Sequence, residues 1–279
     1  MNQLEFDLLV AVISVVAGLI GSLVGLGGGM IITPLLVIFM GIDIRYAMGA
    51  ALASVIATSS GAGAAYLRDG VSNMRIGLSL CVATTIGAVA GAWLATILNT
   101  NVLSILFGVV LLISVILSLR GKGDVDTSQS PRHPWAKFLD LDGSYPEGEK
   151  TIKYHVQRVP GGAAMMWVAG VLSGLLGIGS GAFKVLAMDQ IMRIPFKVST
   201  ATSNFMIGVT AAASVGIYLG RGYFDPVLVF PVALGVLVGA FLGARLLPVI
   251  PTKWLKRIFL VAISVIGVQM LLKGLGVNL

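Results

Sequence analysis

Shifted against itself by 152 residues, the chain falls into register over about a hundred positions without a gap. Gly25-Leu26-Gly27-Gly28-Gly29 meets Gly177-Ile178-Gly179-Ser180-Gly181, and Tyr66-Leu67 meets Tyr218-Leu219. Gly87 and Gly91 meet Gly239 and Gly243, while Leu103 and Phe107 meet Leu255 and Phe259. In a chain with 36 glycines, single matches arise by chance, but one constant offset does not. The sequence is therefore a duplication, which restricts it to folds in which two like units pack against each other.

Each unit repeats the same five apolar runs. They cover 7–28, 30–41, 46–67, 76–98 and 102–119, then 161–181, 182–193, 198–219, 226–248 and 254–273. At about 1.5 Å per helical residue, four of the five reach across a hydrocarbon core of about 30 Å, and the second is too short unless its glycine turn enters the membrane. Composition agrees: 57% of residues are hydrophobic and 11% charged, against about 25% charged in soluble domains. The mean hydropathy is +0.96. An all-α integral membrane protein is expected, and a typical cytosolic enzyme, a disordered tail and a disulfide scaffold are excluded. Cys81 is the single cysteine, so no internal disulfide can form. The net charge of +7 reads as loop cations rather than a nucleic-acid surface. Met1 to Asp7 holds no Lys or Arg, so the first apolar run lacks a signal-peptide n-region and is expected to stay in the protein.

Basic residues decide whether the short second run crosses. If it does not, the halves point the same way and the cations divide almost evenly, with Arg68, Arg75, Arg221 and the long loop on one side. If it does, each half has an odd number of crossings and the second half is inverted. Arg68, Arg75, the loop from Arg120 to Arg158, Arg193, Lys197, Lys253, Lys256 and Arg257 then share one face, leaving little beyond Arg45, Arg221 and Lys273 on the other. The expected architecture is two inverted repeats of about five membrane helices or half-helices each, at 1–119 and 161–279, in the cell inner (plasma) membrane. Both termini are placed outside and the 120–160 loop in the cytoplasm. That loop reads as a connector. Ile152, Tyr154 and Val156 alternate after a turn-like Gly143-Ser144-Tyr145-Pro146, which predicts a short β-hairpin.

Paired glycine-interrupted segments in two inverted halves point to a transporter binding site. Glycine lets a helix break inside the bilayer, and the freed N–H groups need partners that lipid cannot supply. A helix starting after the break turns its positive end toward the interior, which favours anions. Candidate substrate-binding residues are therefore Gly27, Gly28, Gly29, Gly179, Ser180 and Gly181. Gly87, Gly91, Gly239 and Gly243 read instead as helix-packing positions. Lys184 follows the second turn where the first half has Ile32. A lysine at the centre of the bilayer costs about 2.5–3.5 kcal/mol, so it should face an anion or snorkel to the interface. Asp189 is the one acid within an apolar run and stands four residues before Arg193, a spacing that suits a pair on one helix face. Thr58, Ser203 and Asn204 are further substrate candidates from the third run of each half, which also carries Ser54, Ser59, Ser60, Thr200, Thr202 and Thr210.

Rival classes fare worse. An intramembrane serine hydrolase would use Ser180, but the only histidines, His133 and His155, are in the polar loop. No Gly-Lys-Ser/Thr follows the glycines, so a P-loop is absent, and one acid does not make a cation-selective ring. A permease subunit driven by a separate ATPase, or an anion sensor, stays open as the alternative. No enzyme activity, cofactor or metal is expected. The partners are a small anionic substrate and the lipid bilayer, with self-association compatible.

The paired glycine turns, the duplication and the central polar loop ending near Val159-Pro160 resemble the sulfite exporter TauE/SafE family of membrane transporters. The most specific stretch is Gly18 to Pro34 (GLIGSLVGLGGGMIITP), echoed by Gly170 to Gly181 (GVLSGLLGIGSG). The resemblance implies movement of a small sulfur-containing anion, such as sulfite or an organosulfonate, across the bacterial cytoplasmic membrane. The second turn departs from the first at Ser180 and Lys184, which implies an asymmetric site.

Overall fold

In lipid a backbone must satisfy its own hydrogen bonds, and for an apolar chain without a closed barrel the helix is the available solution. The computed structural model describes residues 3–24, 28–68, 70–119, 133–147, 150–246 and 252–277. In the first half the helices are α1 (Gln3–Val24), α2 (Gly29–Phe39), α3 (Ile44–Arg68), α4 (Met74–Ile97) and α5 (Thr100–Leu119). The connector holds a short helix α6 (Pro134–Phe138) and strands β1 (Gly143–Glu147) and β2 (Lys150–Tyr154). The second half has α7 (Val159–Leu176), α8 (Gly181–Leu186) running into a π-helical turn (Ala187–Ile191), α9 (Phe196–Gly220), α10 (Pro226–Leu246) and α11 (Thr252–Gly274). The starts of α2 and α8, α3 and α9, α4 and α10, and α5 and α11 are each 152 residues apart.

Local chemistry sets these starts. Asn73 caps α4 by accepting from Arg75 and Ile76 N–H, and its counterpart Asp225 accepts from Val227 N–H at 2.9 Å. Within the helices, Ser14, Ser104, Ser114 and Ser214 donate to the carbonyl four residues back, so their hydroxyls are satisfied by their own helix.

The helices pair across the halves rather than within them: α1 with α10, α4 with α7, α3 with α9, and α5 with α11. Glycine makes the closest seams. A Cβ on Gly87 would fall 2.2 Å from the Trp167 carbonyl, and one on Gly239 would fall 2.0 Å from that of Val15, the repeat counterpart of Trp167. Gly235 faces Ala11 and Gly239 faces Val15 and Leu19, so α1 and α10 run parallel. The α5–α11 pair is antiparallel, because Gly274 faces Asn101 and Ile105 while Gly267 faces Leu111 and Leu112. α3 and α9 are antiparallel too: Gly208 meets Ser59, and the Tyr218 hydroxyl lies 3.9 Å from Met48 Sδ.

Leu78, Val82, Ile86, Val89 and Trp93 stand exposed along α4, as do Val227, Phe230, Leu234, Val238 and Phe241 along α10. An apolar stripe of this length facing outward belongs against lipid. Among residues with described side chains, α4, α7 and α9 are each long and apolar enough to cross a membrane. The protein is an all-α membrane protein.

The connector hairpin forms, but the residues that the sequence predicts to turn are strand instead. Residues Gly143 to Pro146 are strand β1, with Gly143 opposite Tyr154 and Tyr145 opposite Ile152. Burial of the Tyr145 ring against Tyr154, with centroids 6.4 Å apart, outweighs the local turn preference. A two-stranded ribbon is all edge, so the missing N–H of Pro146 does not disqualify it.

Candidate functional site

The start of α2 and the second glycine turn both pack on α3, with Gly29 and Gly179 against Val55 and Gly177 against Met48. A Cβ on Gly29 would sit 2.5 Å from Val55 Cγ2 and 3.1 Å from the Gly177 carbonyl, so the start of α2 rests on the second turn. Gly179 is wedged between Val55 and Ile207, two residues that are repeat counterparts, at 3.1 and 2.9 Å from its Cβ position. Gly28 is buried at the N-terminus of α2 and accepts there from Ile31 and Ile32 N–H. Gly27 lies outside the described residues.

The second turn is folded tightly by left-handed residues. Gly177, Gly179 and Ser180 have φ of 65°, 70° and 45°. For Ser180 this conformation stores about 1–3 kcal/mol of strain. Its Oγ donates to the Ala169 carbonyl at 2.5 Å, which ties the turn to α7. Gly179→Ala would put a methyl against Val55 and Ile207 in a strained conformation. That variant should lose about 1–3 kcal/mol of stability, read as a lower midpoint in thermal unfolding in detergent.

Lys184 then enters the interior. It is 0% exposed, and its Nζ donates to the Gly179 carbonyl at 3.1 Å, Thr210 Oγ1 at 2.6 Å and the Met206 carbonyl at 3.5 Å. The lysine does not snorkel; it curls back over its own turn. Ser203 Oγ donates to the Gly181 carbonyl at 3.3 Å, which joins α9 to the start of α8. Asn204 and Thr58 do not take part in this arrangement. Asn204 Nδ2 donates to Thr200 O at 3.1 Å, and Thr58 Oγ1 bonds back to Ser54 O and Val55 O at 3.0 and 3.2 Å. Asp189 lies within the π-helical turn rather than in an α-helix. Arg193 lies past the π-helical turn with φ of 58°, because the wider turn ends at Ile191.

At the α9–α10 end, Arg45 stacks 5.3 Å over Tyr223 and its Nη2 donates to the Leu98 carbonyl at 2.6 Å. Tyr46 meets Tyr223 edge to face at 5.6 Å. The connector lies at the opposite end and holds a cavity of about 300 Å³ between Lys137, Asp140, Lys153 and His155.

Residues 10–270, which include both glycine turns and Lys184, match the family described as sulfite exporter TauE/SafE. The chain belongs to this family. Among similar proteins, the probable membrane transporter protein YunE of Bacillus subtilis (strain 168) is 29% identical over 98% of this chain and 99% of its own length. YdhB of the same strain, also named a probable membrane transporter protein, is 27% identical over 95% of this chain and 100% of its own. The probable membrane transporter protein MJ0441 of Methanocaldococcus jannaschii is 23% identical over 97% and 99%. No solved structure matches the chain. As a TauE/SafE protein it is a membrane transporter, and its interior includes groups that the sequence reading left out of the site. Thr210 was legible there only as a polar residue of the third run; its place beside Lys184 could have been inferred from its repeat counterpart, Thr58. Gly177 was visible as the first glycine of the second turn. The Met206 carbonyl carries no side-chain signal at all.

Proposed function

We propose that this TauE/SafE protein is a secondary carrier for a small anion, a sulfur oxyanion or organosulfonate, bound where the two glycine turns meet. The observation that carries this reading is Lys184. Its ammonium is fully buried, and the three acceptors around it are two carbonyls and a hydroxyl. A buried cation held, among the described residues, by neutral acceptors is electrostatically incomplete, and a bound anion completes it. Gly28, Gly29, Gly179, Ser180, Gly181 and Ser203 supply the surrounding backbone and hydroxyl groups; Asn204 and Thr58 would join after rotating away from their own helices. The sulfur chemistry comes from the family.

The same proposal includes inverted halves, 1–119 and 161–279, with the 120–160 connector in the cytoplasm and both termini outside. Two features support it. Repeat-related helices α3 and α9, and α5 and α11, run antiparallel, and inversion collects most of the cations on the connector's face. Alternating access would then come from one half rocking against the other.

The test is flux into liposomes that contain this protein alone, with sulfite, thiosulfate, organosulfonates and carboxylates compared. Saturable flux of a sulfur anion is expected. Binding without flux would make the protein a sensor, and flux only with an added ATPase would make it a permease subunit.

A further inference from the structure

The connector is more than a tether. Asn73, at the start of α4, reaches it with one side chain: Nδ2 donates to the Tyr154 hydroxyl at 2.8 Å and to the Leu141 carbonyl at 3.1 Å. The Asn73 N–H donates in turn to Thr202 Oγ1 at 3.1 Å, one residue before Ser203 on α9. Gln157 N–H donates to the Met192 carbonyl at 2.9 Å, just past the π-helical turn that continues α8. Arg75 pairs with Asp140. The connector thus fastens the start of α4 and the far end of the Lys184 helix, and Asn73 in turn joins the start of α4 to α9.

The apolar contacts agree. One buried cluster contains Leu141, Tyr145, Tyr154 and Val156 of the connector together with Met188, Met192 and Met206. The Met206 carbonyl faces Lys184 Nζ, so continuous packing runs from the hairpin to the lysine. Cys81 belongs to the same cluster and is buried. Among the described residues the opposite end carries no comparable insert; its contacts include those of Arg45, Tyr46 and Tyr223 and the bond from Lys273 to the Val37 carbonyl. The closure is lopsided although the sequence is duplicated.

We infer that the connector is a latch: the Tyr154–Asn73–Thr202 bridge holds its end of the site closed, and this end opens only when the hairpin lifts from α4 and the π-helical turn. The inference rests on the site proposed at Lys184 for its role in transport, but the latch itself can be read without any anion. Burial pushes the Tyr154 phenol up to about 12, so it stays a neutral partner at physiological pH, and the latch is released mechanically rather than by this proton.

Cys81, the single cysteine in the chain, is a native reporter. The experiment measures its alkylation by N-ethylmaleimide in reconstituted protein, with no anion present. Tyr154→Phe removes only the hydroxyl and keeps the packing, and Asn73→Ala removes both side-chain bonds to the connector together with the α4 cap, while its backbone N–H still meets Thr202. The latch predicts faster Cys81 alkylation by about 3- to 10-fold in Tyr154→Phe, the range for one buried hydrogen bond, and more in Asn73→Ala. Lys137→Ala, on the exposed side of α6, should leave the rate unchanged. An unchanged rate in Tyr154→Phe, or equal acceleration in Lys137→Ala, would overturn the latch. A null result with Lys184 variants in the flux assay would overturn the anion site and leave the alkylation result standing.

Discussion

Lys184→Met should lower anion flux by about 10- to 100-fold while the protein still folds and inserts. Methionine matches the length and volume of the lysine stem, so the buried space remains filled. What is lost is the ammonium, and a charge-assisted hydrogen bond to a ligand contributes about 1.5–3 kcal/mol. The variant also leaves the Gly179 and Met206 carbonyls without that donor. The thermal midpoint should therefore fall modestly, and the loss of flux must be normalised to folded protein. Lys184→Arg keeps the charge but adds volume at a position with no exposure, so it should not restore flux. Unchanged flux in Lys184→Met would remove this residue from the anion's path.

Gly174→Leu should prevent accumulation of folded protein. A Cβ there would lie 1.9 Å from the Ala88 carbonyl and 2.8 Å from Ala92 N, both backbone atoms of α4 that cannot rotate away. The α4–α7 seam would have to open along its length. Overpacking of this kind costs about 1–3 kcal/mol even where side chains yield, and here backbone must yield. The seam also supports the second glycine turn, since the Tyr218 hydroxyl donates to the Gly174 carbonyl at 3.0 Å. Gly91→Leu should behave alike, its Cβ falling 2.0 Å from the Val171 carbonyl. Gly216→Leu is the control, because nothing lies within 4 Å of its Cβ position; a surface change of this kind shifts stability by only about 0.5 kcal/mol. Detergent-extracted, monodisperse protein measured for the three variants checks the contrast.

Much of the fold was legible because a membrane chain advertises its helices by hydropathy, and because duplication lets each half correct the other. The paired starts of α2 and α8, and the packing role of Gly87, Gly91 and Gly239, follow from that signal. The hairpin was legible from the alternation of Ile152, Tyr154 and Val156, but the strand over Gly143 to Pro146 was not. Glycine and proline at 143 and 146 favour a turn locally, while burial of Tyr145 depends on a partner across the ribbon. The π-helical turn after α8 escaped because nothing in Ala187–Ile191 distinguishes it from an α-helical stretch. Lys184 was singled out by its rarity in an apolar run, yet its three acceptors depend on a side-chain fold that only the packed turn defines. The bridge from Tyr154 through Asn73 to Thr202 spans residues far apart in sequence with no shared motif, so no reading of the chain alone would find it.

The orientation of the halves underlies the rest, and one labelling experiment addresses it directly. Ser144, on the connector, and Arg221, just after α9, are both exposed. With Cys81 replaced by alanine, each is changed to cysteine and treated in intact cells with a membrane-impermeant maleimide. Inverted halves predict that Arg221→Cys is labelled from outside and Ser144→Cys only after the membrane is opened. Labelling of both from the same side would mean that the halves point the same way, and the account of two broken helices meeting around an anion would fail.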